Sequence, residues 1–227
     1  MLYFLVYNDN THNYDLNNLL KSVEKYGKDF QVIIFDKEKI DSDFSNKNAS
    51  ILSLRRGGGY WLWKSYIINE TLKKINDNDI VLYLDSKYYF LEDFKELYEE
   101  YLKDKDILAF KNKPNEHFNC MKYYCKMDVV LKYDMYDKIF IDDVQDFWAG
   151  CIFIKKTINT VKVIQEWLDM CCVYEDITDS PSKIQNDSCF RDHRHDQSLL
   201  SIVLHKNNIQ AEFFEKKYLQ NVRYPFP

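Results

Sequence analysis

The stretch that most constrains what this chain can fold into is NDNDIVLYLDSKYYF, residues 76–90. Ile80 to Leu84 are apolar or aromatic without interruption, and the run ends on Asp85. A strand with one wet face would alternate, so this run reads as a central strand buried on both faces of a mostly parallel sheet. In open α/β sheets ligands collect beyond the carboxyl ends of the strands, which makes Asp85 the first candidate for ligand contact; an acid that merely opens a turn is the alternative.

The beginning of the chain has the same pattern. LYFLVY at 2–7 is a strand, NYDLNNLLKSVEKYG sets Leu16, Leu19, Leu20 and Val23 on a 3.6-residue period before Gly27, and QVIIFD at 31–36 is the next strand. This β-α-β opening ends its strands in Tyr7 and Asn8 and in Asp36, polar groups on the ligand edge. NDNTHN stands where a dinucleotide enzyme carries GxGxxG, so a nucleotide here is to be held by side chains and carbonyls. A chain of 227 residues supports one substantial core, and a single domain over 1–227 is expected. Lys plus Arg number 31 against 36 Asp plus Glu, so no basic field draws nucleic acid and an anionic ligand must be gripped locally. The apolar start, Met1 to Tyr7, is too short for a membrane span or a signal peptide. Six cysteines without a CxxC pair suit a reducing compartment, which the cytoplasm provides.

Three polar constellations interrupt the apolar pattern. In RRGGGYWLWKSYIINETLKKI, glycines 57–59 lie between two arginines and a helix whose apolar face includes Trp61, Ile68, Leu72 and Ile75. Such a turn is either an anion site, with Arg56 and Lys64 neutralising phosphate, or a plain flexible turn with solvated arginines. In DFWAGCIFIKKT, Trp148 and Gly150 are a cleft wall or packing residues ahead of a strand. In CFRDHRHDQSLLSIVLHK, His193 and His195 have no Cys or third His at zinc-binding spacing. Asp196 there is either the cap or a reactive acid at the start of a helix carrying Leu199, Leu200, Val203 and Leu204. Further helices are expected at 91–102, around 123–132 and from about 158, a strand at 106–110, and a lid or acceptor-contacting loop near 111–120.

Taken together and in order, RRGGGYWLWKSYIINETL with DIVLYLDSK, FWAGCIFIKKT, and RHDQSLLSIVLHKNNI resemble the small nucleotide-sugar glycosyltransferases of the GT-A fold, of the kind found in bacteria and large DNA viruses. The resemblance spans about 1 to 210. It implies a nucleoside-diphosphate sugar donor of UDP or GDP type and a glycan or other hydroxyl acceptor. By that likeness Tyr7, Asn8 and Asp36 lie round the nucleoside, and Arg56, Lys64 and the glycine run face the phosphates or the helix that supports them. Asp196 is the base that takes the acceptor's proton in an inverting enzyme, or an orienting acid in a retaining one, and Gln197 belongs to the acceptor-side element. Asp85 is the first acid of the family's Asp-x-Asp element, which commonly binds Mn²⁺ or Mg²⁺. Here the triplet is Asp85-Ser86-Lys87, so either Asp85 binds metal with a distant ligand such as His205, or Lys87 supplies the positive charge. A binding protein that has lost transfer, or a nucleotidyltransferase, is the alternative function.

Overall fold

The structure is a computed structural model that describes residues 1–8, 13–93, 95–111, 119–213 and 218–221. Six strands form the central sheet: β1 (Leu2–Tyr7), β2 (Phe30–Phe35), β3 (Ile80–Leu84), β5 (Ile107–Lys111), β6 (Trp148–Lys155) and β7 (Ala211–Phe213). Two more, β4 (Tyr88–Phe90) and β8 (Leu219–Asn221), pair antiparallel in a small second sheet. The central order is β2-β1-β3-β6-β5-β7. β2, β1 and β3 run parallel, β6 is antiparallel to both its neighbours, and β7 is parallel to β5. The sheet is thus mostly parallel with one reversed strand, the α/β architecture expected from the apolar runs.

Period-two alternation explains how one strand feeds two cores. Val81 and Tyr83, with Leu5 of β1, point into the cluster made with the helices Leu62–Lys74, Ile158–Cys171 and Asp196–Lys206. Leu82 and Leu84, with Phe4 and Val6, point the other way onto Leu16, Leu19 and Val23 of the Asn13–Tyr26 helix. Helices therefore cover both faces of β3, which is why its sequence is an unbroken apolar run.

The helix expected around 123–132 is divided into a 3-10 turn at Met121–Tyr123 and a helix at Met127–Lys132. The break lets Lys126 take an extended backbone and turn its ammonium inward, where the carbonyls of Glu175, Thr178 (3.0 Å) and Ser180 (3.2 Å) receive it. That grip orders the loop following the short Tyr174–Ile177 helix. The helix expected at 91–102 is confined to Lys95–Tyr101. Most of the expected loop near 111–120, at 112–118, lies outside the described residues, as does Asp9 of the NDNTHN segment.

Candidate active site

Asp85 leaves β3 at its carboxyl end, where its N–H donates to the Gly150 carbonyl at the start of the reversed strand β6 (2.9 Å). The Tyr83 hydroxyl donates to Asp85 Oδ1 (2.8 Å). Lys64, in the first turn of the Leu62–Lys74 helix, is buried with its Nζ 3.4 Å from Asp85 Oδ1 and 2.8 Å from Asp196 Oδ2. The half-exposed Lys87 places its Nζ 3.3 Å from Asp85 Oδ2. Two carboxylates and two ammonium groups alternate at the floor of one cleft, and their formal charges balance.

Asp196 is not a cap. The cap position belongs to His195, whose backbone (φ 55, ψ −122) is one that a side-chain-bearing residue seldom adopts, and Asp196 is the first helical residue. Its carbonyl accepts the Trp167 indole N–H (2.9 Å), which fixes the main chain while the carboxylate meets Lys64. Burial pushes the Asp196 carboxyl up to about 6 against the pull of Lys64. Burial acts on Asp85 as well, but there Lys64, Lys87 and the Tyr83 hydroxyl outweigh it and hold the carboxyl below the ordinary aspartate value. The Lys64 ammonium, penalised by burial, is nonetheless held charged by its two acids. Neighbouring acids whose affinities for protons are pushed apart are suited to different roles in proton transfer.

The cleft above them measures about 290 Å³ and is bordered by Arg56, Trp61, Lys87, Trp148, Gly150 and Gln197. A Cβ on Gly150 would stand 2.4 Å from Trp148 Nε1, so the missing side chain is what lets the indole lie against the strand and form a wall. A larger cavity of about 490 Å³ opens at the opposite edge of the sheet, around Ile107, Val163 and Asn207. The smaller cleft is where two buried acids and a buried lysine converge, so chemistry rather than volume selects it.

The amides that follow Gly57 are spent within the turn. Gly57, Gly58 and Gly59 have φ of +57, +59 and +97, and the N–H groups of residues 58–61 donate back to the carbonyls of Arg55, Arg56 and Gly57. The turn's work is conformational: it places Trp61, itself left-handed at φ 60, at the cleft rim with its ring packed against the core under the Leu62–Lys74 helix. A Cβ at Gly59 would meet the Leu52 Cα at 2.7 Å, a backbone atom that cannot rotate away. Gly59→Ala is accordingly expected to destabilise the fold by about 2 kcal/mol or more through strain and overpacking. Urea unfolding measures this, and a midpoint equal to that of the parent protein would refute the contact.

Arg56 reaches the rim, where its Nη1 pairs with Asp179 Oδ2 (2.7 Å) beside the Tyr60 hydroxyl (2.9 Å to the same oxygen). Asp179 and Asp146 were not singled out from the sequence. Asp146 is buried; it accepts from Ser201 Oγ (2.8 Å), Arg194 Nη1 (3.1 Å) and the Gln197 amide. Gln197 is thereby tied to both Asp146 and the Ala149 N–H (3.4 Å). The one available signal for Asp146 was an acid two residues before Trp148 in a stretch already marked for a cleft wall. His193 Nε2 and His195 Nδ1 meet the carbonyls of Asp176 (2.7 Å) and Ile177 (2.8 Å), contacts that tie this segment to the Tyr174–Ile177 helix.

Four proposed contacts lie outside the cleft lining. Tyr7 ends β1 on the same sheet edge but stacks on Trp63 (3.8 Å between centroids). The Asn8 N–H donates to the Phe35 carbonyl (2.8 Å). Asp36 closes the 3-10 turn that follows β2 by accepting from the N–H groups of Glu38 and Lys39 (3.0 Å each). His205 sits nine residues beyond Asp196, about 13 Å of helical rise, with Nε2 against the Gln145 carbonyl (2.8 Å) and its ring edge-on to Phe147. It borders a different cavity from Asp85, so the two do not form a ligand pair.

The donor set suits a divalent cation poorly. Each Asp85 oxygen already faces an ammonium group, and among the described residues no three of His, Cys, Asp or Glu converge as ligands.

No protein-family model matches the sequence, and no curated protein matches it. Solved structures do share its fold. The glycosyltransferase GlyE of Streptococcus pneumoniae TIGR4 superposes with a TM-score of 0.51 at 14% identity, over 94% of this chain and 45% of its own. The galactosyltransferase LgtC, solved with donor and acceptor sugar analogs, gives 0.50 at 19% identity over 94% of this chain and 73% of its own. The bifunctional glycosyltransferase WbbM gives 0.53 at 11% identity over 95% of this chain and 39% of its own. The chain therefore has the fold of the GT-A glycosyltransferases, while spanning less than half the length of two of these three. Among the described residues no helix is long and apolar enough to cross a membrane.

Proposed function

We propose that the protein transfers a glycosyl group from a nucleoside-diphosphate sugar to a hydroxyl of a glycan or other acceptor. The observation that carries this reading is the Asp85–Lys64–Asp196 arrangement at the floor of a cleft on the carboxyl-terminal edge of the parallel strands. In such a transfer the bond from sugar C1 to the phosphate oxygen breaks with its electron pair left on the diphosphate. The acceptor oxygen bonds to C1 and gives up its proton. Charge thus develops at the phosphates, where cations are needed, and a base is needed on the acceptor side.

Asp196 meets the second need in an inverting transfer. It is fixed by its helix and by Lys64, and with its carboxyl at about 6 it is largely ionised at neutral pH while remaining basic enough to take a proton. Trp148 borders the cleft as an aromatic wall for a sugar ring, while the Trp61 indole is stacked on His195 (5.7 Å between centroids). Arg56 stands at the rim as a cation for the phosphates once it exchanges Asp179 for ligand.

An array of sugar and glycan acceptors incubated with intact UDP-, GDP- and CDP-sugars tests the reading, with products identified by mass spectrometry. The expected result is a new glycoside and one equivalent of free nucleoside diphosphate with one of the donors. A folded protein that binds none of these donors and consumes none of them would sink it.

A further inference from the structure

We infer that the phosphate subsite beside Asp85 is built to hold a diphosphate with the Lys87 ammonium and without a divalent cation. The inference rests on the nucleoside-diphosphate donor proposed above and concerns what neutralises it.

The geometry assigns different duties to the two lysines. Lys64 is buried and shared between Asp85 and Asp196, so its charge is consumed inside the protein. Lys87 meets one carboxylate oxygen only, and about half of its side chain is open to solvent at the cleft. An ammonium group carries three donors, and those that Asp85 does not engage are available to a ligand. Asp85 lies on the inner side of this group, tethering it above the end of β3, and the Tyr88 ring 5.4 Å below the Nζ supports it. Arg56, which lines the same cleft and pairs with Asp179 (2.7 Å), is a second cation there. Two cations on one small cleft suit two linked phosphates.

The same contacts disfavour a metal. For Asp85 to coordinate an ion, an oxygen would have to leave Lys87, or leave Tyr83 and Lys64, and the ion would then stand beside both ammonium groups. Lys87 occupies the chain position from which a second acid would join Asp85 at one ion, and it brings the opposite charge. Diphosphate affinity in this site should therefore track Lys87 and ignore chelators.

Calorimetric titration with UDP, GDP and CDP and with the matching nucleosides, in EDTA and in Mn²⁺, tests this. Paramagnetic resonance of free Mn²⁺ reports metal uptake separately, with no need for turnover. The expected result is that the best nucleoside diphosphate binds equally well, within about twofold, in EDTA and in Mn²⁺, and that the protein alone leaves the Mn²⁺ signal unchanged. Lys87→Ala should weaken the diphosphate about tenfold or more, as for loss of a charge-assisted hydrogen bond, while nucleoside affinity changes little. Lys87→Asp should weaken diphosphate binding in EDTA and recover it with Mn²⁺, since a second acid then faces Asp85. Diphosphate binding that appears only with Mn²⁺ in the parent protein, or stoichiometric Mn²⁺ uptake lost in Asp85→Asn, would overturn the inference while leaving the donor reading intact. Failure of every nucleotide to bind under both conditions would overturn the donor reading and this inference with it.

Discussion

Asp196→Asn is expected to lower acceptor-dependent transfer by about 10² to 10⁴, because the change removes the base; it also leaves the buried Lys64 ammonium with Asp85 as its remaining carboxylate, so some stability is lost as well. Asparagine keeps the shape of the side chain and an oxygen for Lys64. The same residue sets the pH profile. With its carboxyl at about 6, the rate should rise with pH through that value and level off above it. Stability should move oppositely. A carboxyl raised in the folded state binds more protons there than in the unfolded chain between the ordinary aspartate value and about 6. The contribution of this group therefore declines as pH rises across that window. Initial rates and chemical unfolding between pH 4 and 8, on parent and variant, measure both trends. Undiminished transfer by Asp196→Asn would eliminate Asp196 as the base, and a variant that loses rate only because it unfolds would show the loss in both measurements.

Lys64→Met is expected to destabilise the protein by about 3 to 5 kcal/mol at pH 8, as for the removal of one partner from a buried ion pair. Methionine fills most of the space, so the loss comes from Asp85 and Asp196 facing each other without their shared cation. Protonation relieves that conflict. Both carboxyls rise in the variant, the folded state takes up the extra protons, and the deficit relative to the parent shrinks as the pH is lowered toward 5. A deficit of the same size at both pH values would mean that Lys64 matters through packing and not through charge. Combining Lys64→Met with Asp196→Asn should be less damaging than adding the two separate losses, since the second change removes one of the stranded charges.

The sequence disclosed the strands better than the contacts among the polar residues. β1 and β3 are apolar over their whole length because helices press on both faces, and that burial is written directly in residue type. β7 and β8, three residues each, are too short for any period to register. Asp85 was legible because it terminates an apolar run, and Trp148 with Gly150 because a glycine follows a large ring at the head of another. The pairing of Lys64 with both Asp85 and Asp196 was not, because it joins residues remote in sequence and depends on the direction in which the Asp196–Lys206 helix enters the sheet edge. Asp146 and Asp179 were missed for a related reason. A single acid in a loop has no periodicity, and its partners, Arg194 and Arg56, are brought to it only by the tertiary fold. The glycine run was legible as either an anion site or a plain turn: its positive φ values were foreseeable from three consecutive glycines, but the return of the amides of residues 58–61 to the neighbouring carbonyls was not.

The triad at the cleft floor also has an order of arrival. On the ribosome Lys64 emerges first, Asp85 and Lys87 soon after, and Asp196 about half a chain length later. Without that last segment the cleft floor would hold two ammonium groups and a single carboxylate, an excess positive charge that the finished protein lacks. Charge neutrality at this spot is therefore a mark of completed assembly. A compound that recognises the balanced cleft selects chains whose final helix is in place, and by mass action it holds that helix against the sheet for as long as it stays bound.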